Sequence, residues 1–279
     1  MTAPKAQGRR DFIEAASRMC ALSALGLLLG RPAWADDAGL ALARKVYDRA
    51  DGQDASSVVT MALTEEGRSP RERSMVLYRR NGAEGEVSTL IRFTAPADIE
   101  GTGLLTLDAA DGDSRQSIYL PALQRVRRVD SKRKGGRFVN SDYYFEDLRD
   151  RKPAMDVHRI VGREPIDGVA CEVLESVPVE AGNSVYLRRV SWIDPASLLP
   201  LRIDFYEKDP AQPAKRLTVS AREQIQGYWT VTDSTMMDLR SGHRTRLKVE
   251  RIVYDRSLPE RLFSSRALEQ ERMEKEFRP

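Results

Sequence analysis

The chain has 279 residues, of which 41% are hydrophobic and 31% charged, and its formal net charge is +3 at pH 7. The first 35 residues hold five cationic and two anionic side chains, so the remainder carries 40 of each sign. A neutral remainder excludes a general electrostatic attraction to nucleic acid, and its length is sufficient for one domain with its own core.

The first 35 residues have the pattern of a cleaved export signal. The motif RRDFI begins at Arg9, an apolar run occupies residues 19–30, and a small-x-small cleavage motif ends at Ala35. A helix of that apolar run would be only ~18 Å long, too short for a ~30 Å hydrocarbon core. We therefore predict a signal peptide over 1–35, of the twin-arginine type, cleaved after Ala35 and delivering residues 36–279 to the periplasm. The general secretory route remains the alternative.

The remaining elements follow in chain order. Residues 40–49 predict a short helix, and residues 140–148 a short ordered turn or helix capped by Ser141 and anchored by Phe145 and Leu148. Residues 264–277 predict a charged helix at the surface, because it has few apolar positions. Alternating segments between turn residues predict strands at 57–64, 73–80, 86–94, 103–108, 115–120, 156–164, 170–177, 184–193, 199–207, 216–226, 228–236 and 245–254.

Short connections between these strands favour antiparallel pairing. Most of the strands have one apolar face and one mixed face with charges, which is typical of a sheet that is apolar inside and wet outside. We therefore predict a mainly β fold: a single-layer, strongly curved antiparallel sheet, or half-open barrel, with about 11–12 strands and a few short helices. The alternation places five apolar residues on its concave side: Met61, Leu77, Val87, Ile91 and Phe93.

Residues that could support catalysis are few. His158 and His243 are the only histidines, and their arginine neighbours predict surface positions. Cys171 is the only cysteine after residue 35, which excludes an internal disulfide there, and its strand-like surroundings predict a buried, inert thiol. No nucleophile, phosphate-binding or metal-ligand motif is present, so we expect no catalytic residues, no metal and no cofactor.

A basic stripe follows the fifth predicted strand. Its cations are far more concentrated than elsewhere in a neutral chain, which indicates a contact for anionic headgroups or for an acidic partner protein. A solvated loop, balanced by acidic residues elsewhere, is the alternative. The basic stripe comprises Arg125, Arg127, Arg128, Lys132 and Arg133.

Four segments resemble the LolA-like family of outer-membrane lipoprotein-sorting proteins. They are IRFTAPADIEGTGLLTL at 91–107, IYLPALQRVRRV at 118–129, NSDYYFEDL at 140–148 and DPASLLPLRIDFY at 194–206. The resemblance implies a half-open antiparallel barrel whose mouth is covered by helices. It also implies an apolar cavity that shields acyl chains between the inner and outer membranes, in some members beside an RND/MMPL-type transporter.

The resulting hypothesis is a periplasmic carrier for the acyl chains of a lipoprotein or another lipid. The five concave-side residues are then the candidate lipid contacts, and the basic stripe makes transient membrane or partner contacts. The main alternative is a ligand-free β-sheet scaffold or accessory protein of an inner-membrane RND/MMPL-type transporter. An enzyme is the least favoured hypothesis.

Overall fold

The computed structural model describes residues 37–279, so the predicted export signal and its cleavage site lie outside the described part of the chain. Helix α1 (Asp37–Tyr47) begins three residues before its predicted start, and helix α2 (Ser265–Glu269) lies near the C-terminus. The strands are β1 (Asp54–Thr64), β2 (Arg71–Asn81), β3 (Val87–Ala95), β4 (Gly103–Asp108), β5 (Ser114–Leu120), β6 (Arg125–Arg128), β7 (Asp156–Ile166), β8 (Val169–Pro178), β9 (Arg188–Ile193), β10 (Pro200–Tyr206), β11 (Lys215–Ile225), β12 (Tyr228–Asp238) and β13 (Arg244–Tyr254).

All thirteen strands form one curved, unclosed antiparallel sheet, which confirms the predicted fold class. The order is β6-β5-β4-β3-β2-β1-β13-β12-β11-β10-β9-β8-β7. Twelve strands match the predicted segments, whereas β6 was missed because it consists of RVRR. The ninth strand begins at Arg188 instead of residue 184.

The segment from 129 to 155, here called the crossover segment, joins the two edge strands β6 and β7. It therefore crosses one face of the sheet from edge to edge. Hydrogen bonds tie it to successive strands: Gln116 of β5 donates to the Phe145 carbonyl, Thr245 of β13 donates to Asp142, and Lys215 of β11 binds Asp147. The predicted turn at 140–148 is its central part and contains two short 3-10 turns.

The face beneath the crossover segment, here called the cavity face, is apolar across the N-terminal strands. Met61, Met75, Ile91 and Phe93 are buried there against Phe138 of the crossover segment. The rings of Phe93 and Phe138 lie 5.7 Å apart. Phe145 and Leu148 pack against the same cluster, as predicted for the anchors of this turn.

The opposite, outer face of β1–β5 is also covered, which corrects the prediction of a wet outside. Leu262, Phe263 and Leu268 bury themselves against Tyr78 and Leu90 of the sheet. The prediction of one charged surface helix at 264–277 was therefore wrong. This segment is a five-residue helix followed by 3-10 turns, in which Ala267 and Leu268 are fully buried and Phe277 packs against the same cluster.

Within residues 37–279, no helix has both the length and the apolar character needed to cross a membrane.

Candidate functional site

A cavity of about 630 Å³ lies on the cavity face of the C-terminal strands. Helix α1 and the crossover segment contribute to its walls. Its apolar residues come from these two segments, from the start of β3 and from strands β8–β12, and they include Ala43, Val46, Val87, Leu174, Ile193, Ile203, Phe205, Leu217 and Met236.

Strand register brings part of the apolar wall into one row. Ile203 pairs with Leu217, which pairs with Met236 on the next strand. Residues directly opposite one another share a face of the sheet, so their side chains are neighbours. Ile203 and Leu217 are only half-buried, and their free surface faces the cavity.

The rim of the cavity carries paired charges. Asp156 binds Arg151 at 2.6 Å and also pairs with Arg189. Although burial opposes it, hydrogen bonding from Arg151 and the charge of Arg189 hold the pKa of Asp156 below its ordinary value. Lys152 binds Asp150 at 2.6 Å and donates to the Tyr47 hydroxyl at the end of α1. These contacts tie α1 and β9 to the crossover segment.

A buried lysine lies beside the deep end of the cavity. The Lys215 ammonium is 2.7 Å from Asp147 Oδ2 and 3.6 Å from the centre of the Tyr144 ring. Tyr186 donates to the other Asp147 oxygen at 2.7 Å. Burial lowers the pKa of Lys215, and Asp147 counteracts that shift. The lysine therefore anchors the crossover segment and takes no free position in the cavity.

Both histidines are buried, so the prediction of surface positions was wrong. His158 lines the cavity, and its nitrogens lie 2.8 Å from the Ser176 hydroxyl and 2.8 Å from the Pro153 carbonyl. His243 is 2.6 Å from Asp142 of the crossover segment. Their arginine neighbours point to the opposite side because strand side chains alternate. Burial lowers the pKa of His158.

The five candidate lipid contacts occupy two places. Met61, Leu77, Ile91 and Phe93 belong to the cluster that packs against Phe138. Val87 is the first residue of β3 and lines the cavity. Lipid contact by these residues remains a prediction. Ile203, Leu217 and Met236 were not selected from the sequence, although the same alternation could have identified them.

The basic stripe lies at the edge of the sheet, away from the cavity. Its three arginines Arg125, Arg127 and Arg128 lie in the edge strand β6. Lys132 and Arg133 follow in a 3-10 turn. All five side chains are exposed, and none forms an ion pair or side-chain hydrogen bond with any residue of 37–279. The members of the stripe are Arg125, Arg127, Arg128, Lys132 and Arg133.

The one cysteine among the described residues does not line the cavity. Cys171 is fully buried on the outer face, as predicted, and burial raises the pKa of its thiol. In the described part of the chain, no three His, Cys, Asp or Glu side chains are grouped so that they could hold a metal ion.

Comparisons with known proteins give a consistent result. A family model described as an uncharacterized protein matches residues 85–270. A Vibrio parahaemolyticus domain assigned to outer membrane lipoprotein sorting is 28% identical, with a TM-score of 0.79 over 84% of this chain and 99% of that one. A DUF1329 family protein from Desulfovibrio piger is 32% identical, with a TM-score of 0.78 over 83% of this chain and 98% of that one.

A LolA superfamily protein from Nitrosomonas europaea shares the fold, with 16% identity and a TM-score of 0.66 over 82% of this chain and 98% of that one. A comparison with curated proteins finds no match.

Proposed function

Because the chain belongs to the DUF1329 family and has the LolA-like fold of outer-membrane lipoprotein-sorting proteins, we propose that it is a periplasmic carrier of lipid. It shields the acyl chains of a lipoprotein or another lipid in its cavity during transfer between the inner and outer membranes. The export signal predicted at 1–35 supports the periplasmic location.

The half-buried apolar wall of the cavity is the observation that carries this proposal. Ile203 and Leu217 keep free apolar surface inside a cavity bounded by α1 and the crossover segment. Each methylene removed from water contributes ~0.8 kcal/mol, so an acyl chain laid along this wall gains a large share of its transfer free energy. An enzyme is the least favoured alternative, because the sequence contains no recognised catalytic motif.

A charge placed on this wall tests the proposal. Ile203→Glu should weaken binding of a fluorescent fatty acid at least ~10-fold, because a carboxylate without a partner disfavours the apolar ligand. Leu187→Glu is the matched control, since Leu187 is 47% exposed and lies outside the cavity. Circular dichroism melting verifies that both variants are folded.

Mass spectrometry of solvent extracts from protein purified out of the periplasm provides the second measurement. We expect acylated molecules in the extract of the unmodified protein and markedly less in that of Ile203→Glu. Equal binding by Ile203→Glu and by the control would exclude this cavity as the lipid site.

A role as accessory to an inner-membrane RND/MMPL-type transporter is the second candidate. The unpaired cations of the basic stripe support it, because they lie on an edge strand whose outer hydrogen-bonding groups are unpaired within the sheet. The same stripe would serve a carrier at the moment when it meets an anionic membrane.

A further inference from the structure

The volume of the cavity limits how much lipid it can hold. At ~30 Å³ per methylene, similar to the share of a water molecule in the liquid, a sixteen-carbon chain needs ~500 Å³. The cavity of about 630 Å³ therefore has room for one such chain and a small headgroup. Among β1–β5 it reaches only the end of β2 and the start of β3, because Phe138, Phe145 and Leu148 cover the apolar cluster on the rest of that face.

The charges that line the cavity are largely neutralised by one another. Arg79 binds Asp51 at 2.8 Å, and the pairs around Asp156 and Asp150 cancel likewise. Four lining groups remain without an ion pair among residues 37–279: the arginines Arg49 and Arg149, and the carboxylates Asp48 and Glu86. The two arginines are the ones considered for an anionic ligand. Each makes one side-chain hydrogen bond, to the Val46 carbonyl and to the Gly112 carbonyl respectively.

Both arginines also have a donor without an acceptor. The Nε atoms of Arg49 and Arg149 are buried and make no hydrogen bond. Burial lowers the pKa of Arg49, the negative charge of Asp51 counteracts that shift, and the positive charge of Arg79 adds to it. Buried donors in native proteins normally have a partner, so an acceptor that reached these two atoms would satisfy them.

The two arginines lie at the same end of the sheet. Arg49 is close to Asp51 and Arg79, near the end of β2. Arg149 binds Gly112, and its neighbour Asp150 donates to Asp108 at the end of β4. Strand β3 joins these places, since Val87 pairs with both Asn81 and Asp108.

We infer that the cargo of this cavity is a single-chain amphiphile with an anionic headgroup, such as a fatty acid. Its carboxylate lies at the mouth formed by Arg49 and Arg149, and its chain runs along Ile203, Leu217 and Met236. This inference rests on the proposed carrier function and narrows its cargo.

Calorimetric titration of the delipidated mature protein separates the ligand classes. The probes are palmitate, neutral monopalmitoylglycerol, a tripalmitoylated lipopeptide and acetate. Palmitate should bind with one molecule per chain and at least ~10-fold more tightly than monopalmitoylglycerol. Acetate should not bind measurably, because it lacks the chain.

Variants at the mouth assign the headgroup contact. Arg49→Gln and Arg149→Gln should each weaken palmitate binding ~10-fold, and their effect on monopalmitoylglycerol should stay within ~2-fold, since a charge-assisted hydrogen bond is lost only with the anion. Arg49→Lys should retain most of the affinity. Arg44→Gln is the matched control, because Arg44 is an exposed arginine of α1, five residues before Arg49, and lies outside the cavity.

Each other result contradicts a defined part of the inference. Equal affinity for palmitate and monopalmitoylglycerol, or no effect of either glutamine variant, would overturn the anionic headgroup. Binding of the lipopeptide without binding of palmitate would overturn the single chain and leave the carrier function standing. Failure of all the acylated probes would overturn the carrier function itself.

Discussion

At the scale of single residues, buried charged groups fasten irregular segments to the sheet. Arg92 of β3 is 1% exposed and pairs with Glu274, which is fully buried in the C-terminal segment. Its guanidinium also donates to the carbonyls of Gly101 and Leu268, each at 2.7 Å. Burial raises the pKa of Glu274, and Arg92 counteracts that shift.

Removal of one partner from this pair should be costly. Arg92→Met should lower the free energy of unfolding by ~3–5 kcal/mol, because it leaves Glu274 buried without a counter-charge. Arg246→Met is the control: Arg246 pairs with Asp233 but is 56% exposed, and its loss should cost at most ~1 kcal/mol. Urea unfolding measures both. Equal losses would show that burial does not set the strength of these pairs.

His158 should make the protein sensitive to mild acid. Its folded pKa lies below the ordinary value of ~6.5, since burial favours the neutral ring. The unfolded chain then binds a proton that the folded chain does not, so stability is complete above pH ~6.5 and falls as the pH drops below it, by up to ~1.4 kcal/mol per unit.

Urea unfolding at pH 7.5 and 5.5 tests this expectation. His158→Gln should reduce the difference between the two pH values, whereas Arg44→Gln, which changes an exposed charge, should preserve it. An unchanged difference in His158→Gln would assign the acid sensitivity to other groups.

At the scale of elements, the sequence was informative wherever side chains alternate. Twelve strands were predictable because each pairs with neighbours through a face of period two. Strand β6 was not, since RVRR shows no apolar face and only its Val126 packs against the cluster on the outer face. Residues 140–148 of the crossover segment were predicted to be ordered. The path of the segment across the sheet depends on which strands are edges, and periodicity carries no such information.

The position of the cavity was unpredictable for the same reason. The face that carries Ile91 and Phe93 was predictable from alternation, whereas its occupation by Phe138 depends on a segment 45 positions farther along the chain. The arginines without an ion pair at the cavity mouth could not be recognised either. Charged residues make up 31% of the chain, and only the fold decides which of them form ion pairs with one another.

The basic stripe is the element whose role is easiest to separate from the cavity. Arg127→Glu, Arg128→Glu and Arg133→Glu together should weaken association with anionic liposomes ~100-fold, because each cation near such a membrane contributes ~1 kcal/mol. The effect should fade with salt, since exposed charges are screened over ~8–10 Å. Fatty-acid binding in free solution should stay nearly unchanged.

Liposome co-sedimentation at low and high salt measures this effect. The control is a double variant, Arg44→Glu with Lys45→Glu, which reverses two exposed charges of α1 outside the stripe. Unchanged association of the triple variant at low salt would make the stripe a solvated loop.

At the scale of the whole molecule, export remains a prediction from residues that lie outside the described part of the chain. Arg9→Lys and Arg10→Lys together should block delivery of the precursor to the periplasm, because the motif RRDFI is typical of the twin-arginine route. Arg18→Lys is the control. Cell fractionation with a mass measurement of the mature chain gives the result, and a first residue of Asp36 is expected. Normal delivery of the double variant would favour the general secretory route.

The pairing of β1 with β13 has a consequence for how the molecule assembles. Every other strand pair joins neighbours along the chain, whereas Met61 pairs with Leu247 near the middle of the sheet. Local hairpins form rapidly and lose little chain entropy, whereas this contact requires a very large loop to close. The two meanders can therefore form early, and their central seam must wait for the last strand to emerge from the ribosome. Until then β1 presents an unpaired edge, the kind of surface that recruits other nascent chains into aggregates.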